Sequence, residues 1–559
     1  MFIKNQRGAA LAISLMVIIV LIILGSVLIL RSVTEKRSSD EERRTIQAFY
    51  LAEAGANSGL DRLDYLINTD LLTAVTQINP QTLARRVSQY VAGGDGLGFL
   101  RTYVKEYDQA QFTLSGDGLS IYHNGTTTAL GSGNYIYTIY VREKSNPYAV
   151  ATDTWDFPYT FTINALGTSS TARRRVLLTG DFTVRVQKDN FARYALFTNH
   201  HSMPSGTTVW FTNNTNFSGP LHTNERYSFA YNPSGTFDGM VTQHILTARY
   251  FNGGSPVLRA ADSNPPYDVP IFNADFIRGA NEINLESSVT QQDLMDQARA
   301  GDRSAVGNGI YLANNGTALT GGIFVKGDST VQMTTDTNGD AKYIVTQGTT
   351  TKNITVKKNE MKTNVETVGG GTVTYDGIPD GMDDLGTIIY VDGAVTGLKG
   401  TVQKDTEVTV SSQNDIIITD NLVYQETNPG PPLNAEGKTN LLGIVCWGGN
   451  VRIGPTAPNN VNIHGTIMAR NGIFTVDGYD SGDPRGTATL LGGVITNFYG
   501  AFGQFNSQTG QMVHGYARNY VYDERMSYGN APPYFPSMNT FIAFSDDITD
   551  KINWQEGGI

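Results

Sequence analysis

The chain has one cysteine, Cys446, in 559 residues, so no disulfide can form within it. A large exported protein without disulfides must be held together by its core alone. Cys446 lies in the apolar stretch LLGIVCW at 441–447, a pattern typical of a buried strand. The surroundings predict a buried, inert thiol rather than a nucleophile.

Charge is also scarce. Only 17% of the residues are charged and the net charge is −11, which excludes a general attraction to nucleic acid or anionic lipid. The sequence contains no HExxH zinc motif, no GxSxG nucleophile motif and no P-loop. We therefore predict that the protein is not an enzyme and that nucleic acid is not a partner.

Residues 9–30 contain no charge at all. They read AALAISLMVIIVLIILGSVLIL, and about 20 such residues suffice to cross a bilayer as a helix. Lys4 and Arg7 precede the run, which predicts a cytoplasmic N-terminus. A cleaved secretory signal peptide is the alternative, but its apolar region would be shorter and followed by small residues at a cleavage site. An uncleaved anchor in the inner membrane fits the composition better.

The helix is predicted to continue well beyond the membrane. No proline interrupts residues 9–66, and apolar residues recur three and four positions apart: Ile46, Phe49, Tyr50, Ala56, Leu60, Leu63 and Leu66. A continuous helix of this length would measure roughly 85–90 Å.

Two short motifs carry a resemblance to a known family. Residues 6–9, QRGA, match a prepilin processing site, and residues 47–55, QAFYLAEAG, match the end of the long helix of PilX-type minor pilins and pseudopilins. The segment from Gln6 to about Leu60 resembles that family. The resemblance implies that a prepilin peptidase cuts between Gly8 and Ala9, that the new N-terminus is methylated, and that other pilins or pseudopilins are partners.

Two positions bear on assembly. Major pilins usually carry glutamate at the fifth mature position, which is Ile13 here. A glutamate there would be costly in lipid unless it were paired with a neighbouring subunit. Its absence favours a minor or tip component over a shaft subunit. Glu53, in the second motif, is assigned either to assembly or to an ordinary solvated position.

Beyond the helix the composition favours strands. There are 60 Gly and 28 Tyr, with many Thr and Asn, which indicates β-structure with tight turns. We predict an α+β region followed by an all-β region. The α+β region comprises a leader at 1–8, a transmembrane helix at 9–30, a helical extension at 31–90 and a pilin-like domain with a small antiparallel sheet at 91–188. A β-helix-like ectodomain at 189–530 and a C-terminal tail at 531–559 follow.

The large β-region has two interpretations. Short apolar strands separated by glycine turns, such as IIYVDGAVTG and IVCWGGNVRIG, fit a β-helix, and a β-sandwich is the alternative. No fixed repeat length emerges. The phrases FSGPLHTN (217–224), IYVDG (389–393), VNIHG (461–465), YVYD (520–523) and PPYFP (532–536) resemble an uncharacterised bacterial family of pilin-anchored ectodomains, which implies no activity.

Two acidic turns raise the question of calcium. Asp336, Asn338 and Asp340 have the spacing of a calcium loop, since alternate oxygen ligands on a tight turn can converge on one cation. Asp376 and Asp380 belong to a second acidic turn. The same phrases also occur as ordinary β-turns. We therefore expect no cofactor, with calcium as the alternative if the two turns lie together.

One histidine could serve acid–base chemistry. His222 lies three residues before Glu225, and a His–Glu pair can transfer protons. The other interpretation is a histidine fixed by hydrogen bonds in a corner of the β-fold. His200 and His201 are adjacent, so on a strand their rings would point to opposite faces and would not share a metal.

These observations predict a minor pilin or pilus-tip protein, anchored by one helix, that displays a β-rich adhesive or structural module in the periplasm or outside the cell. Inner-membrane lipid, a surface polysaccharide and a host or abiotic surface are the expected partners besides pilins. Two alternatives remain. One is a surface-anchored polysaccharide lyase or hydrolase, and the other is a solitary anchored protein with no pilus.

Overall fold

The computed structural model describes residues 6–76, 78–104, 112–115, 118–122, 127–151, 153–213, 215–230, 235–252, 255–262, 268–285, 289–427, 437–506, 509, 511–545, 548 and 552–557. Residues 1–5 of the predicted leader and 558–559 of the predicted tail lie outside the described residues. The chain forms two units. The first comprises residues 1–188 and 540–559, and the second, residues 189–539, is inserted into it.

The helices are α1 (Gln6–Tyr65), α2 (Leu72–Thr76), α3 (Pro80–Gly93), α4 (Gly96–Val104) and α5 (Gln291–Arg299). A π-helical turn, Leu66–Leu71, joins α1 to α2, and short 3-10 turns occur at Phe191–Arg193, Lys358–Glu360 and Glu524–Tyr528. The long N-terminal helix of the sequence prediction is confirmed. Helix α3 begins where the Asn79 side chain accepts a hydrogen bond from the Thr82 N–H, and it ends at Gly94, whose φ of 63° is left-handed.

The strands up to the middle of the second unit are β1 (Phe112–Ser115), β2 (Gly118–Tyr122), β3 (Thr128–Leu130), β4 (Gly133–Glu143), β5 (Tyr148–Ala151), β6 (Thr154–Ser169), β7 (Ala172–Asn190), β8 (Leu196–His200), β9 (Asn216–Phe217), β10 (Leu221–Thr223), β11 (Ser228–Phe229), β12 (Thr236–Phe237), β13 (Val241–Gln243), β14 (Ala248–Asn252), β15 (Ser255–Arg259), β16 (Ile271–Phe272), β17 (Phe276–Arg278), β18 (Gly309–Asn314), β19 (Leu319–Lys326) and β20 (Ser329–Thr335).

The remaining strands are β21 (Ala341–Gln347), β22 (Thr350–Lys357), β23 (Lys362–Thr367), β24 (Thr372–Asp376), β25 (Thr387–Asp392), β26 (Val395–Val402), β27 (Glu407–Ser412), β28 (Ile416–Tyr424), β29 (Leu441–Cys446), β30 (Val451–Ile453), β31 (Val461–His464), β32 (Thr466–Ala469), β33 (Phe474–Val476), β34 (Pro484–Leu491), β35 (Val494–Phe498), β36 (Gly503–Phe505), β37 (Met512–Val521), β38 (Ser537–Ser545) and β39 (Asn553–Gly557). The prediction of an α+β region followed by an all-β region is confirmed.

The first unit packs helix α1 on a nine-stranded sheet. The sheet's main order is β1-β2-β4-β6-β7-β38, with β3, β5 and β39 added at β4, β6 and β7. Along β6 and β7 buried and partly exposed side chains alternate, as expected for a sheet covered on one face. The core buries helix residues Ala52, Ala56 and Leu63 with strand residues Ile139 and Ile163.

The C-terminal segment differs from the sequence prediction of a tail. Within residues 531–559, β38 lies next to β7, and β39 pairs antiparallel with the same strand from Asn553 opposite Thr179 to Gly557 opposite Arg175. The chain thus leaves the first unit after β7 and returns to complete its sheet. Pairing with a strand some 370 residues earlier has no local sequence signal, which is why these residues looked like a tail.

In the second unit, strands mostly alternate between two large sheets and pair in parallel within each, while β11, β14 and β15 form a third, three-stranded sheet. We call this arrangement the parallel stack. The first sheet has the order β17-β13-β10-β8-β35-β32-β29-β27-β25-β19-β18. The second follows β16-β12-β9-β37-β34-β31-β28-β26-β20 and continues through the antiparallel strands β21 to β24.

The chain enters the parallel stack in its middle. From β8 it proceeds outward through β10, β13 and β17, then crosses to the other end at β18 and β19 and returns through β25, β27, β29 and β32 to β35. Strand β35 then pairs in parallel with β8, where Val494 is opposite Leu196 and Thr496 is opposite Thr198. We call this pairing the seam.

An apolar row crosses nine of the eleven strands of the first sheet in register. Its members are opposite one another in successive strands: Ile323, Ile389, Val410, Ile444, Ile467, Val494, Leu196, Leu221 and Val241. Each is at most 1% exposed. Because a slip by one residue would turn every side chain to the opposite face, this row fixes the register of both halves of the chain.

Close contact between α1 and the sheet generates a stability prediction. A Cβ at Gly167 would lie 2.1 Å from the Ala48 carbonyl oxygen and 2.3 Å from the Ala52 nitrogen. Since both atoms are helix backbone, Gly167→Ala must displace α1 and is expected to cost about 1–3 kcal/mol of unfolding free energy. Hydrogen–deuterium exchange of peptides from residues 48–60 should become faster.

Gly93→Ala is the matched control, because a Cβ there meets no atom within 4 Å. It should leave exchange in α1 unchanged. Equal exchange in Gly167→Ala and the wild type would contradict the described packing of the helix on the sheet.

Candidate functional site

The apolar part of α1 is exposed along its length. An 18-residue window of this helix has a mean hydropathy of 3.2, and none of it is buried within the protein. Individual side chains remain open, from Ile19 at 47% exposed to Leu11 at 74%. Exposure of these apolar side chains is unfavourable in water and favourable in the core of a bilayer, where the helix satisfies its own backbone hydrogen bonds. The segment is consistent with a single-pass membrane anchor.

The processing and assembly residues lie on the same helix. Gly8 and Ala9 are exposed near its N-terminal end, and a Cβ at Gly8 would meet no atom within 4 Å. Ile13 is 64% exposed on the apolar segment. Glu53 is half-buried, one residue after the fully buried Ala52 that packs on the sheet. Their roles stay predictions.

The two acidic turns do not converge. The Asp336 carboxylate accepts hydrogen bonds from the N–H groups of Asn338 (2.8 Å) and Asp340 (2.9 Å), closing the turn between β20 and β21. Asp376 ends β24, and β22 and β23 lie between β21 and β24. Burial and the nearby Asp336 raise the pKa of Asp340. Among the described residues no three His, Cys, Asp or Glu side chains form a group that could hold a metal.

His222 and Glu225 belong to separate hydrogen-bond networks. The His222 ring contacts Thr242 Oγ1 through Nδ1 (2.8 Å) and Asn224 Oδ1 through Nε2 (2.9 Å), and burial lowers its pKa. Glu225 instead contacts His200 Nδ1 at 2.9 Å and accepts the His201 N–H at 2.8 Å. The two side chains therefore do not form the acid–base pair that their spacing suggested.

His201 lies in an aromatic column rather than at a reactive site. Its ring stacks on Tyr499 at 4.6 Å and meets the edges of Phe211 and Tyr227. Neither ring nitrogen has a hydrogen-bond partner in the described part of the chain. Burial, with the nearby Arg518, lowers the pKa of His201 to about 3, so the ring is neutral at physiological pH.

An aromatic pocket of about 380 Å³ opens beside this column. We call it the aromatic pocket. It is lined by Met203, Thr207, Thr208, Val209, Trp210, Thr212, Thr215, Ala230, Phe251, Tyr479, Ala501, Phe502, Gly503, Gln504, Phe505, Tyr516 and Arg518. Its volume falls within the ≈300–1,000 Å³ typical of small-molecule sites. Trp210 and Phe251 meet edge to face, with ring centroids 5.9 Å apart.

Arg518 is the one charged side chain among the described residues of this lining. Its guanidinium carbon lies 4.6 Å from the ring centroids of both Tyr499 and Phe502. It donates to the Tyr499 hydroxyl and, at 2.7 Å, to the Gly500 carbonyl oxygen. The geometry thus holds a fixed cation whose observed hydrogen-bond partners are both neutral.

A second cavity of about 290 Å³ is acidic. We call it the acidic cavity, and four carboxylates line it: Asp380, Asp384, Asp405 and Glu407. Burial, reinforced by the charge of Asp384, raises the pKa of Asp380 to about 6. Burial also raises the pKa of Glu407, while Lys358 opposes that shift. Asp380, from one of the two turns singled out from the sequence, thus lines this cavity.

The aromatic pocket escaped sequence reasoning. Its lining residues lie between 203 and 251 and between 479 and 518, and the pairing of β35 with β8 and of β37 with β9 brings these two parts of the chain together. Each aromatic residue, read locally, looks like an ordinary core or ladder position. One available signal was the phrase MPSGTTVWFTN at 203–213, where a tryptophan stands among residues typical of turns.

The acidic cavity generates a pH prediction. An aspartate in an unfolded chain titrates near 4, whereas Asp380 titrates at about 6 when folded. The folded state therefore holds the proton more tightly, and stability falls as pH rises through this window. Asp380→Asn mimics the protonated form, so its Tm should exceed the wild-type Tm at pH 7.5 and match it at pH 4.

Asp376→Asn, an exposed carboxylate in the same segment, is the control and should show no such pH-dependent difference. An Asp380→Asn change in Tm that is the same at both pH values would contradict the raised pKa.

Comparison with protein families gives two matches. Residues 7–57 match the PilX N-terminal family, and residues 155–244 match a domain of unknown function, DUF4900. The second span runs from β6 through β13, so it includes the end of the first unit's sheet and the first strands of the parallel stack. No curated protein and no solved structure matches the chain.

The N-terminal match covers all of the exposed apolar helix segment, residues 7–9 of the first motif that resembles minor pilins and the whole of the second motif. The second match overlaps the region that resembles uncharacterised ectodomains. The chain thus carries a PilX-type pilin N-terminal segment, related to the minor pilins of type IV pili, followed by a domain of uncharacterised type.

Proposed function

We propose that this protein is a membrane-anchored minor pilin that displays a β-rich adhesive module. The observation that carries the proposal is α1, whose first half is apolar and uncovered and whose second half packs on the sheet of the first unit. One helix thereby serves two surroundings, lipid and protein, as a pilin helix must. The N-terminus lies in the cytoplasm, and the β-rich units lie in the periplasm or outside the cell.

Processing follows the pilin pattern in this proposal. A prepilin peptidase cuts between Gly8 and Ala9, and the new N-terminus is methylated. Both residues are exposed, which supports access by an enzyme. Ile13 leaves the apolar segment without the glutamate that would pair with a neighbouring subunit in lipid. The protein therefore enters filaments as a minor or tip component, in contact with other pilins.

The displayed module is a β-helix in this proposal. Alternation of successive strands between two sheets, with parallel pairing in each, supports that assignment, since the sheets of a β-sandwich are antiparallel. An elongated parallel core needs no disulfide, which fits a chain whose one cysteine is buried. A rigid module of this kind suits the presentation of a binding site away from the membrane.

A processing experiment tests the anchor. Intact-mass analysis of the membrane-extracted protein is expected to show a chain that begins at Ala9 and carries one added methyl group. Gly8→Val should retain residues 1–8, because the peptidase requires the small residue before its cut. Gly25→Ala, a second glycine of α1 whose Cβ would meet no atom within 4 Å, should be processed normally.

A wild-type chain that begins at Met1 would overturn the proposal of prepilin processing. Recovery of the protein in filaments sheared from the cell surface separates a minor pilin from a solitary anchored protein, which would remain in the membrane fraction.

The acidic cavity favours one alternative, a polysaccharide-degrading enzyme. Glycosidases use two carboxyl groups, one of them with a raised pKa, and Asp380 with Glu407 offers such a combination. Incubation of the full chain with neutral and acidic polysaccharides tests it. We expect no release of new reducing ends. Turnover by the wild type that is lost in Asp380→Asn, but kept in Asp376→Asn, would replace the adhesive proposal.

A further inference from the structure

We propose that the aromatic pocket binds an acidic sugar residue, such as a uronic acid unit of a polysaccharide. The inference deepens the proposed adhesive function and rests on it. It commits to a class of ligand, a saccharide with a carboxylate, and to one site, the cavity between the loop after β8 and strands β36 and β37.

The walls of the pocket suit the faces of a sugar ring. Trp210, Phe251, Phe505 and Tyr516 line it, and all come from the second unit. One face of a pyranose presents C–H groups that pack on aromatic rings, whereas its edges present hydroxyls. The cavity of about 380 Å³ is at the lower end of the range for small-molecule sites, which fits one or two sugar units.

Polar groups occur between the aromatic walls. The hydroxyls of Thr207 and Thr208 and the amide of the exposed Gln504 belong to the lining. Hydroxyl and amide groups both donate and accept hydrogen bonds, so they match sugar hydroxyls, which do the same. An alkyl chain would offer these polar groups no hydrogen-bond partner.

Charge selects an acidic sugar over a neutral one. Arg518 brings a cation into a lining whose described residues contain no Asp or Glu, and the hydrogen bonds it makes are to neutral oxygens. Arg249 donates to Thr208 Oγ1 at 2.6 Å and places a second guanidinium behind that wall. A ligand carboxylate would supply the missing negative charge, and guanidinium groups suit carboxylates particularly well.

Nucleic acid does not fit the same charge pattern. Its backbone needs a row of cations along a groove, whereas this pocket has one lining cation in a protein of net charge −11. The aromatic walls with a single fixed cation favour one carboxylate on a compact ring.

The test is a binding titration with the full-length protein in detergent. The probes are a tetramer of galacturonic acid, its fully methyl-esterified form and maltotetraose. The affinity of each is measured by calorimetry. We expect the acidic tetramer to bind at least tenfold more tightly than the ester, and maltotetraose to behave like the ester. Galacturonic acid alone, as a fourth probe, shows whether one unit suffices or neighbouring units contribute.

Variants locate the site. Arg518→Gln should weaken binding of the acid much more than binding of the ester and so remove the tenfold preference, whereas Trp210→Ala should weaken both ligands. Two matched controls should leave the affinity for both ligands unchanged. Arg303→Gln replaces an exposed arginine paired with Asp296, and Trp554→Phe replaces a 45% exposed tryptophan of the first unit. Because Arg518 also contacts Gly500, Gln504→Ala gives an independent variant of an exposed lining residue, expected to weaken both ligands.

Equal affinity for the acid and the ester, or binding that survives Trp210→Ala unchanged, would overturn the inference. The result is independent of anchoring, because binding needs neither cleavage nor a filament. Normal processing without binding contradicts the acidic-sugar site alone, and binding by a protein that starts at Met1 contradicts the prepilin proposal alone.

Discussion

The second unit depends on the pairing of β35 with β8. Together with the pairing of β37 with β9 in the second sheet, the seam joins the two halves of the chain and leaves no unpaired parallel edge between them. At the seam Val494 is opposite Leu196, and the Asn199 side-chain amide donates a hydrogen bond to Asn497 Oδ1 at 3.0 Å. Apolar burial and polar pairing thus specify the same register, so the two halves join in only one way.

The aromatic pocket is a consequence of the seam. The loop after β8 supplies Trp210, and the strands after β35 supply Phe505 and Arg518, some 300 residues later. The parallel pairing of β35 with β8 brings these residues close together. The stacked rings of His201 and Tyr499 lie beside the same pairing. A binding site on loops is only as well positioned as the scaffold that supports them, and here that scaffold is the parallel stack.

Local patterns were sufficient for the helix and for the class of the β-region. Uncharged residues from Ala9 to Leu30 and apolar spacing up to Leu66 predicted α1, because helix formation responds to neighbours three and four positions away. The seam, the return of β38 and β39, and the aromatic pocket were beyond reach, since each depends on partners separated by hundreds of residues. His222 and Glu225 show that closeness in sequence does not imply contact, because His222 is held by Thr242 and Asn224, as the second interpretation of this residue expected, while Glu225 contacts His200 and His201.

Because the second unit is inserted into the first, the chain order determines when the sheet of the first unit can be completed. The sheet that receives α1 is completed only by β38 and β39, which follow the whole parallel stack in the chain. The first unit therefore cannot finish its sheet until the chain has passed through residues 189–539. Long-range pairings of this kind form late, because the loop must close before the contacts stabilise it. In the proposed function, the sheet that carries the anchor helix is thus completed by strands that follow the display module in the chain.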